Sequence, residues 1–352
     1  MNFRKLFLNC WIKTLNNGTG STTLQQGFTL AEILVAALIG SLIIAPLLGA
    51  ALQIIQTQRD EEVKANSQQE IQAALQFIAR DLQQAVYIYD RDGLAALTAS
   101  YQTTTCSTPP PAPPATPNCS QLPADVNRVP VLVFWKRQEI ENAIALNGGG
   151  CPNPEAASET CDDTFVYSLV AYYLVIDDDE TWSNTSRIER FQIRDGVRNP
   201  VTGDYIDENG DDPDDDIAGL ARDRGYLPFG SGGTLDQRFF NWQRSFAENY
   251  ELNETRRVLV DFIDQSTSTS LPLEACPEPA FTAVPNYAFI PASFQTASFY
   301  ACVNRAATIA RVFLRGNSLA RINDDPTPSH SAQFDPFFPR GRVEVRGEGS
   351  IN

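Results

Sequence analysis

The chain has 352 residues, enough to bury a sizeable core in one large or two smaller domains. Its net charge is −16, and its only lysines are Lys5, Lys13, Lys64 and Lys136, which argues against nucleic acid as a partner, since that needs clustered Lys and Arg. A single histidine, His330 in a Pro/Ser-rich stretch expected to be an exposed loop, excludes a multi-histidine metal site and argues against histidine-based general-base chemistry.

Residues 1–27 contain Arg4, Lys5 and Lys13 and no acid. From Ile33 to Ile55 the chain then carries no charge. As a helix that run is about 35 Å long, enough for a tilted membrane span. Nothing else in the sequence qualifies, so a single pass is expected. The basic flank places the N-terminal side in the cytoplasm and the large remainder outside.

Glu32 stands directly before this run. A carboxylate in hydrocarbon is costly unless it is paired. A secretory signal peptide cut near "GAA" (49–51) would place Glu32 in its apolar region and give it an n-region of over thirty residues. A plain signal anchor leaves Glu32 without a purpose. "GFTLAE" (27–32) resembles the type IV prepilin processing motif, with Gly before the cut, an aromatic after it and Glu fifth. The resemblance implies cleavage between Gly27 and Phe28, N-methylation of Phe28, and pairing of Glu32 with the amino terminus of a neighbouring subunit during assembly. Pro46 removes a helix hydrogen bond in mid-span and is expected to kink or locally melt the helix.

Beyond the span, Ile71, Ala74, Leu75, Ile78, Leu82, Ala85 and Val86 recur at helical spacing. One helix is therefore expected from about Phe28 to about Val86, with an amphipathic second half suited to packing on a sheet. Strands are expected at 129–137, 164–177, 187–195, 256–264, 307–316 and 341–347, all rich in Val, Ile, Tyr and Phe. Of these, "RRVLVDFID" (256–264) also reads as a helix. The Pro-rich stretch 107–123 reads as a stiff surface loop.

Cys10 precedes the span, and six other cysteines fall in Pro/Gly/Asn-rich segments without CxxC spacing. Disulfides in an oxidising compartment are therefore favoured over zinc, with buried free thiols as the alternative. Nearest-neighbour pairing would join Cys106 to Cys119, Cys151 to Cys161 and Cys276 to Cys302, at least two of them formed. In the acidic stretch 205–219, Asp207, Asn209 and Asp211 alternate like the opening of an EF-hand-type calcium loop. Position six would be Asp212 rather than Gly and position twelve Ala218, so a solvated acidic loop is the simpler expectation and Ca2+ the alternative. No other cofactor and no catalytic residue is assigned.

"GFTLAEILVAALIG" (27–40) followed by "EIQAALQFIARDLQQAVYIYD" (70–90) looks like the hormogonium polysaccharide secretion pseudopilins of cyanobacteria, relatives of the minor pseudopilins of type II secretion. The strongest likeness covers about residues 27 to 95. It implies an α+β, pilin-like fold: a long N-terminal helix, transmembrane then amphipathic, packed on an antiparallel β-sheet with disulfide-tied loops. The expected layout is a leader at 1–27 that is removed, a transmembrane helix at 28–56, its amphipathic continuation at 57–90 and an extracytoplasmic β-rich domain at 91–352. The implied function is that of a structural, non-enzymatic subunit of a pilus-like, type II secretion-like apparatus for polysaccharide secretion and gliding motility. Its implied partners are a prepilin peptidase, other pseudopilins, an inner-membrane secretion platform and membrane lipid. Two alternatives stand beside this: a membrane-anchored enzyme acting on surface glycans through paired carboxylates, and a tip adhesin. A deep cleft holding two carboxylates would favour the enzyme.

Overall fold

Helix α1 runs from Leu30 to Gln83 without a break. The computed structural model describes residues 29–98, 120–123, 126–145, 161–206, 220–245, 247–250, 252–267, 273–286, 290–323 and 330–349. The chain divides into two compact units, Met1–Gln58 and Arg59–Asn352, and α1 contributes to both. In the first unit no described residue is buried. In the second, α1 buries Ser67, Ile71, Ala74, Leu75, Ile78, Asp81 and Leu82, a single stripe at three- and four-residue spacing.

The helix ends earlier than expected. Continuation to residue 90 is corrected, because Ala85–Ile88 form strand β1. Ala85 and Val86 do extend the helical spacing, but "AVYI" is β-branched and aromatic, and as a strand all four of its residues are buried. Helix α2 (Arg91–Thr98) follows.

A five-stranded antiparallel sheet in the order β1-β2-β3-β4-β5 adds β2 (Arg128–Ala145), β3 (Cys161–Val175), β4 (Ser186–Arg194) and β5 (Arg256–Ile263). The ambiguous segment 256–264 is thus a strand. The β2–β3 register shifts between Pro130, which pairs with Tyr173, and Leu132, an irregularity of the kind beside which a strand tolerates proline. Successive side chains on a strand point to opposite faces. Lys136 meets α1, so its neighbour Trp135 faces away from the helix. There Trp135 packs against Tyr226, Phe229, Phe239 and Trp242, with ring centroids 4.9 to 6.2 Å away. Two short helices, α3 (Leu235–Phe240) and α4 (Leu252–Thr255), belong to the connection between β4 and β5.

A second antiparallel sheet has the order β6-β7-β8-β9, with β6 (Thr282–Val284), β7 (Phe299–Asn304), β8 (Ile309–Arg315) and β9 (Arg340–Arg346). Its inner residues Phe299, Ala301, Val303, Ala310, Val312 and Leu314 join the main core. On its outer face Tyr300, Cys302 and Phe313 are covered by Leu273, Cys276 and Phe281. The Cys276–Cys302 disulfide fastens that cover to β7. Cys161 is also disulfide-bonded.

Gly341 lets β9 approach α1 closely: a Cβ there would lie 2.4 Å from Leu75 Cδ1 and 3.1 Å from Gln72 Nε2. Leu75 is itself buried and has little room to yield. Gly341→Ala is expected to destabilise the fold by about 1–3 kcal/mol through overpacking. Thermal unfolding of the variant beside the parent checks this, and equal melting temperatures would contradict it.

Candidate assembly site

The apolar half of α1 is built to meet other molecules. Leu30, Ile33, Leu34, Leu38, Leu42, Leu47 and Ile55 are among a run of large apolar side chains that are all more than half exposed. Among the described residues, α1 is the one helix long and apolar enough to cross a membrane. The two hydroxyls there are satisfied inside the helix, Ser41 Oγ donating to the Leu38 carbonyl and Thr57 Oγ1 to that of Gln53, each at 2.9 Å. Ala37, Ser41, Ala45 and Gly49 recur every four residues and leave a shallow strip where another helix could approach.

Glu32 sits in the first turn of α1. Thr29 prepares that turn: its carbonyl accepts from Glu32 N at 3.0 Å and Ile33 N at 3.2 Å, and its Oγ1 accepts from Glu32 N at 3.3 Å. The free N–H groups and the helix dipole favour a carboxylate here. Among the described residues Glu32 has no ion-pair partner. At Pro46 the missing N–H frees the Leu42 carbonyl, yet the helix continues through it. Local melting, one of the two outcomes expected there, is not what the structure has.

Other expected site residues fall elsewhere. Cys10, Gly27, Phe28, Cys106, Cys119, Cys151, Asp207, Asn209 and Asp211 lie outside the described residues. His330 is corrected: its side chain is 11% exposed, its Nε2 lies 2.9 Å from Asp335 Oδ1, and its ring packs edge-on against Phe338. That contact, with Arg340 beside it, holds the Asp335 carboxyl below its usual range.

A buried ionic anchor at the end of α1 was not among the expected sites. Asp81, in the last turn, meets three strands at once. Lys136 Nζ on β2 reaches Oδ1 at 2.9 Å, while the Tyr172 hydroxyl on β3 and Arg190 Nε on β4 each donate to Oδ2 at 2.6 Å. Burial alone would raise the Asp81 carboxyl, but the Arg190 hydrogen bond and charge, then Lys136 and Tyr172, outweigh it and hold the carboxyl below its usual range. Tyr172 is pushed far up, mainly by burial and then by Asp81. No local pattern marks Asp81, because its partners lie 55, 91 and 109 residues away.

The cavities bear on the enzymatic alternative. One cavity among the described residues, of about 770 Å³, is walled by Leu227, Phe229, Phe240 and Trp242 together with glycines, amides and Arg238, and by no described carboxylate. A second, of about 350 Å³, has one carboxylate, Glu274.

Residues 23–48 match the family model described as the prokaryotic N-terminal methylation motif. Neither a curated protein nor a solved structure matches the chain. The motif covers Gly27, Phe28, Glu32 and Pro46 and supports a pilin-like protein whose apolar N-terminal helix anchors it in a membrane. It implies processing by a prepilin peptidase and assembly with other pilins, and it suggests a structural subunit rather than an enzyme.

Proposed function

We propose that this chain is a minor pseudopilin, a non-catalytic subunit of a pilus-like, type II secretion-like apparatus that exports polysaccharide and supports gliding. The observation that carries this is Glu32 in the first turn of an apolar helix with no buried residue before position 58, inside a match to the methylation motif. The peptidase cuts between Gly27 and Phe28, the new amino terminus is methylated, and residues 28–56 hold the subunit in the cytoplasmic membrane. The rest of the chain then lies on the far side, where disulfides persist. Glu32 sets axial register by accepting the charged amino terminus of a neighbour, and Pro46 lets the helix bend between its neighbours. Export and gliding rest on the likeness to the hormogonium pseudopilins at residues 27–40 and 70–90.

Cleavage gives a direct test. Removal of the Gly27 side-chain space is expected to matter in graded fashion: Gly27→Ala slows processing, and a bulky residue there abolishes it. Immunoblots of membranes follow the loss of the leader. Full processing of a Gly27→Leu variant would overturn the proposed junction. Deletion of the gene, followed by a surface-polysaccharide stain and a gliding assay, tests the finer assignment. Unchanged staining and gliding would remove the export role and leave the pilin assignment standing.

A further inference from the structure

The second sheet carries a pocket of about 350 Å³, a size suited to a small ligand. Strand register builds its wall. Arg315 pairs with Arg340 and Phe313 with Arg342 across β8–β9, and Tyr300 pairs with Phe313 across β7–β8. Directly opposed residues share a face, and all five line this pocket. Three guanidinium groups thus converge on a chain whose net charge is −16.

Their carboxylates do not use them up. Asp264 accepts from Arg315 Nε at 2.6 Å, Glu274 from Arg342 Nη1 at 2.8 Å, and Asp335 pairs with Arg340. Only Glu274 of these acids is in the pocket wall. Arg315 is 5% exposed, and its Nη2 has no hydrogen-bond partner among the described residues. A buried guanidinium nitrogen left in that state has lost its water without gaining an acceptor. The Tyr300 hydroxyl accepts from Glu274 N at 2.9 Å and donates to no described residue. The Arg315 nitrogen is sealed from solvent, so what the pocket offers is a spare donor from Tyr300, the remaining N–H groups of the exposed Arg340 and Arg342, and acceptors from Glu274 and Gln72.

We propose that this pocket binds a small monocarboxylate bearing hydroxyl groups. The planar guanidinium fork matches a carboxylate, and a hydroxyl on the ligand can donate to Glu274. The Glu274 charge disfavours a doubly charged phosphate. The site stands on the second sheet alone and does not depend on the pilin assignment.

Isothermal titration of the full chain in detergent, at fixed ionic strength, tests it with glucuronate as the probe and inorganic phosphate as the competitor. Saturable glucuronate binding is expected, with phosphate about tenfold weaker or more. Arg315→Met leaves Asp264 buried without its partner, so the exposed Arg342→Gln and the ring-preserving Tyr300→Phe carry the test. Each is expected to weaken glucuronate about three- to tenfold with an unchanged melting temperature. Absence of saturable heat, phosphate binding as tight as glucuronate, or unaltered binding in both variants would each overturn the proposal.

Discussion

Glu32→Ala is expected to weaken filament assembly by about two to three orders of magnitude while leaving insertion and cleavage largely intact. Removing the carboxylate makes the start of the span more apolar, so insertion becomes easier. The junction at Gly27 and Phe28 is untouched. What disappears is the acceptor for a neighbour's charged amino terminus. A buried charge stripped of its partner costs about 3–5 kcal/mol. At about 1.4 kcal/mol per decade this gives the stated loss. The first turn already favours a negative charge through Thr29 and the free N–H groups of α1, so the site is prepared before a partner arrives. Glu32→Asp keeps the charge but withdraws it by one methylene and should be milder. Crosslinking to partner subunits in membranes reads the effect. Wild-type crosslinking in the Ala variant would refute the pairing.

Asp81→Ala is expected to destabilise the folded domain by about 3–5 kcal/mol, because it strips two largely buried cations of their carboxylate. The Lys136 and Arg190 side chains are 9% and 15% exposed, so water screens them poorly. The Tyr172 hydroxyl loses its acceptor as well. Replacing Asp81, Lys136 and Arg190 together with apolar residues of similar volume should recover much of the loss, since no charge is then stranded. The same group sets an acid limit. The Asp81 carboxyl is depressed in the folded state, so its contribution is complete above the ordinary carboxyl range, about 4, and is lost as pH falls below it toward the folded value. Denaturant titrations at neutral pH and below pH 4 measure both effects. A midpoint for Asp81→Ala equal to the parent's would contradict the anchor.

Much of the fold was legible because the strands alternate or are enriched in β-branched and aromatic residues. The expected segment 187–195 coincides with β4 to within a residue at each end, and 341–347 does the same for β9. Strand β1 was hidden because Ala85 and Val86 continue the apolar spacing of α1, and only pairing with β2 decides the matter. Strand β7 was missed for another reason. "FYACV" is apolar on both faces because one side meets the core and the other lies under the Cys276 segment, so no alternation shows. Glu32 was conspicuous as a lone acid beside an apolar run. Asp81 was not, because an acid between Arg80 and Leu82 on an amphipathic helix looks like a solvated position. Its burial is a tertiary event, and so is the convergence of Arg315, Arg340 and Arg342, which needs the register of β8 and β9.

The most direct measurement is the amino terminus of the protein isolated from membranes, read by intact mass and confirmed by terminal peptide sequencing. A mature chain that begins at Phe28 with a methylated amine is the predicted result. A terminus near Ala50 or Ala51 would mean signal-peptide removal and a chain without its apolar helix, and it would contradict the account.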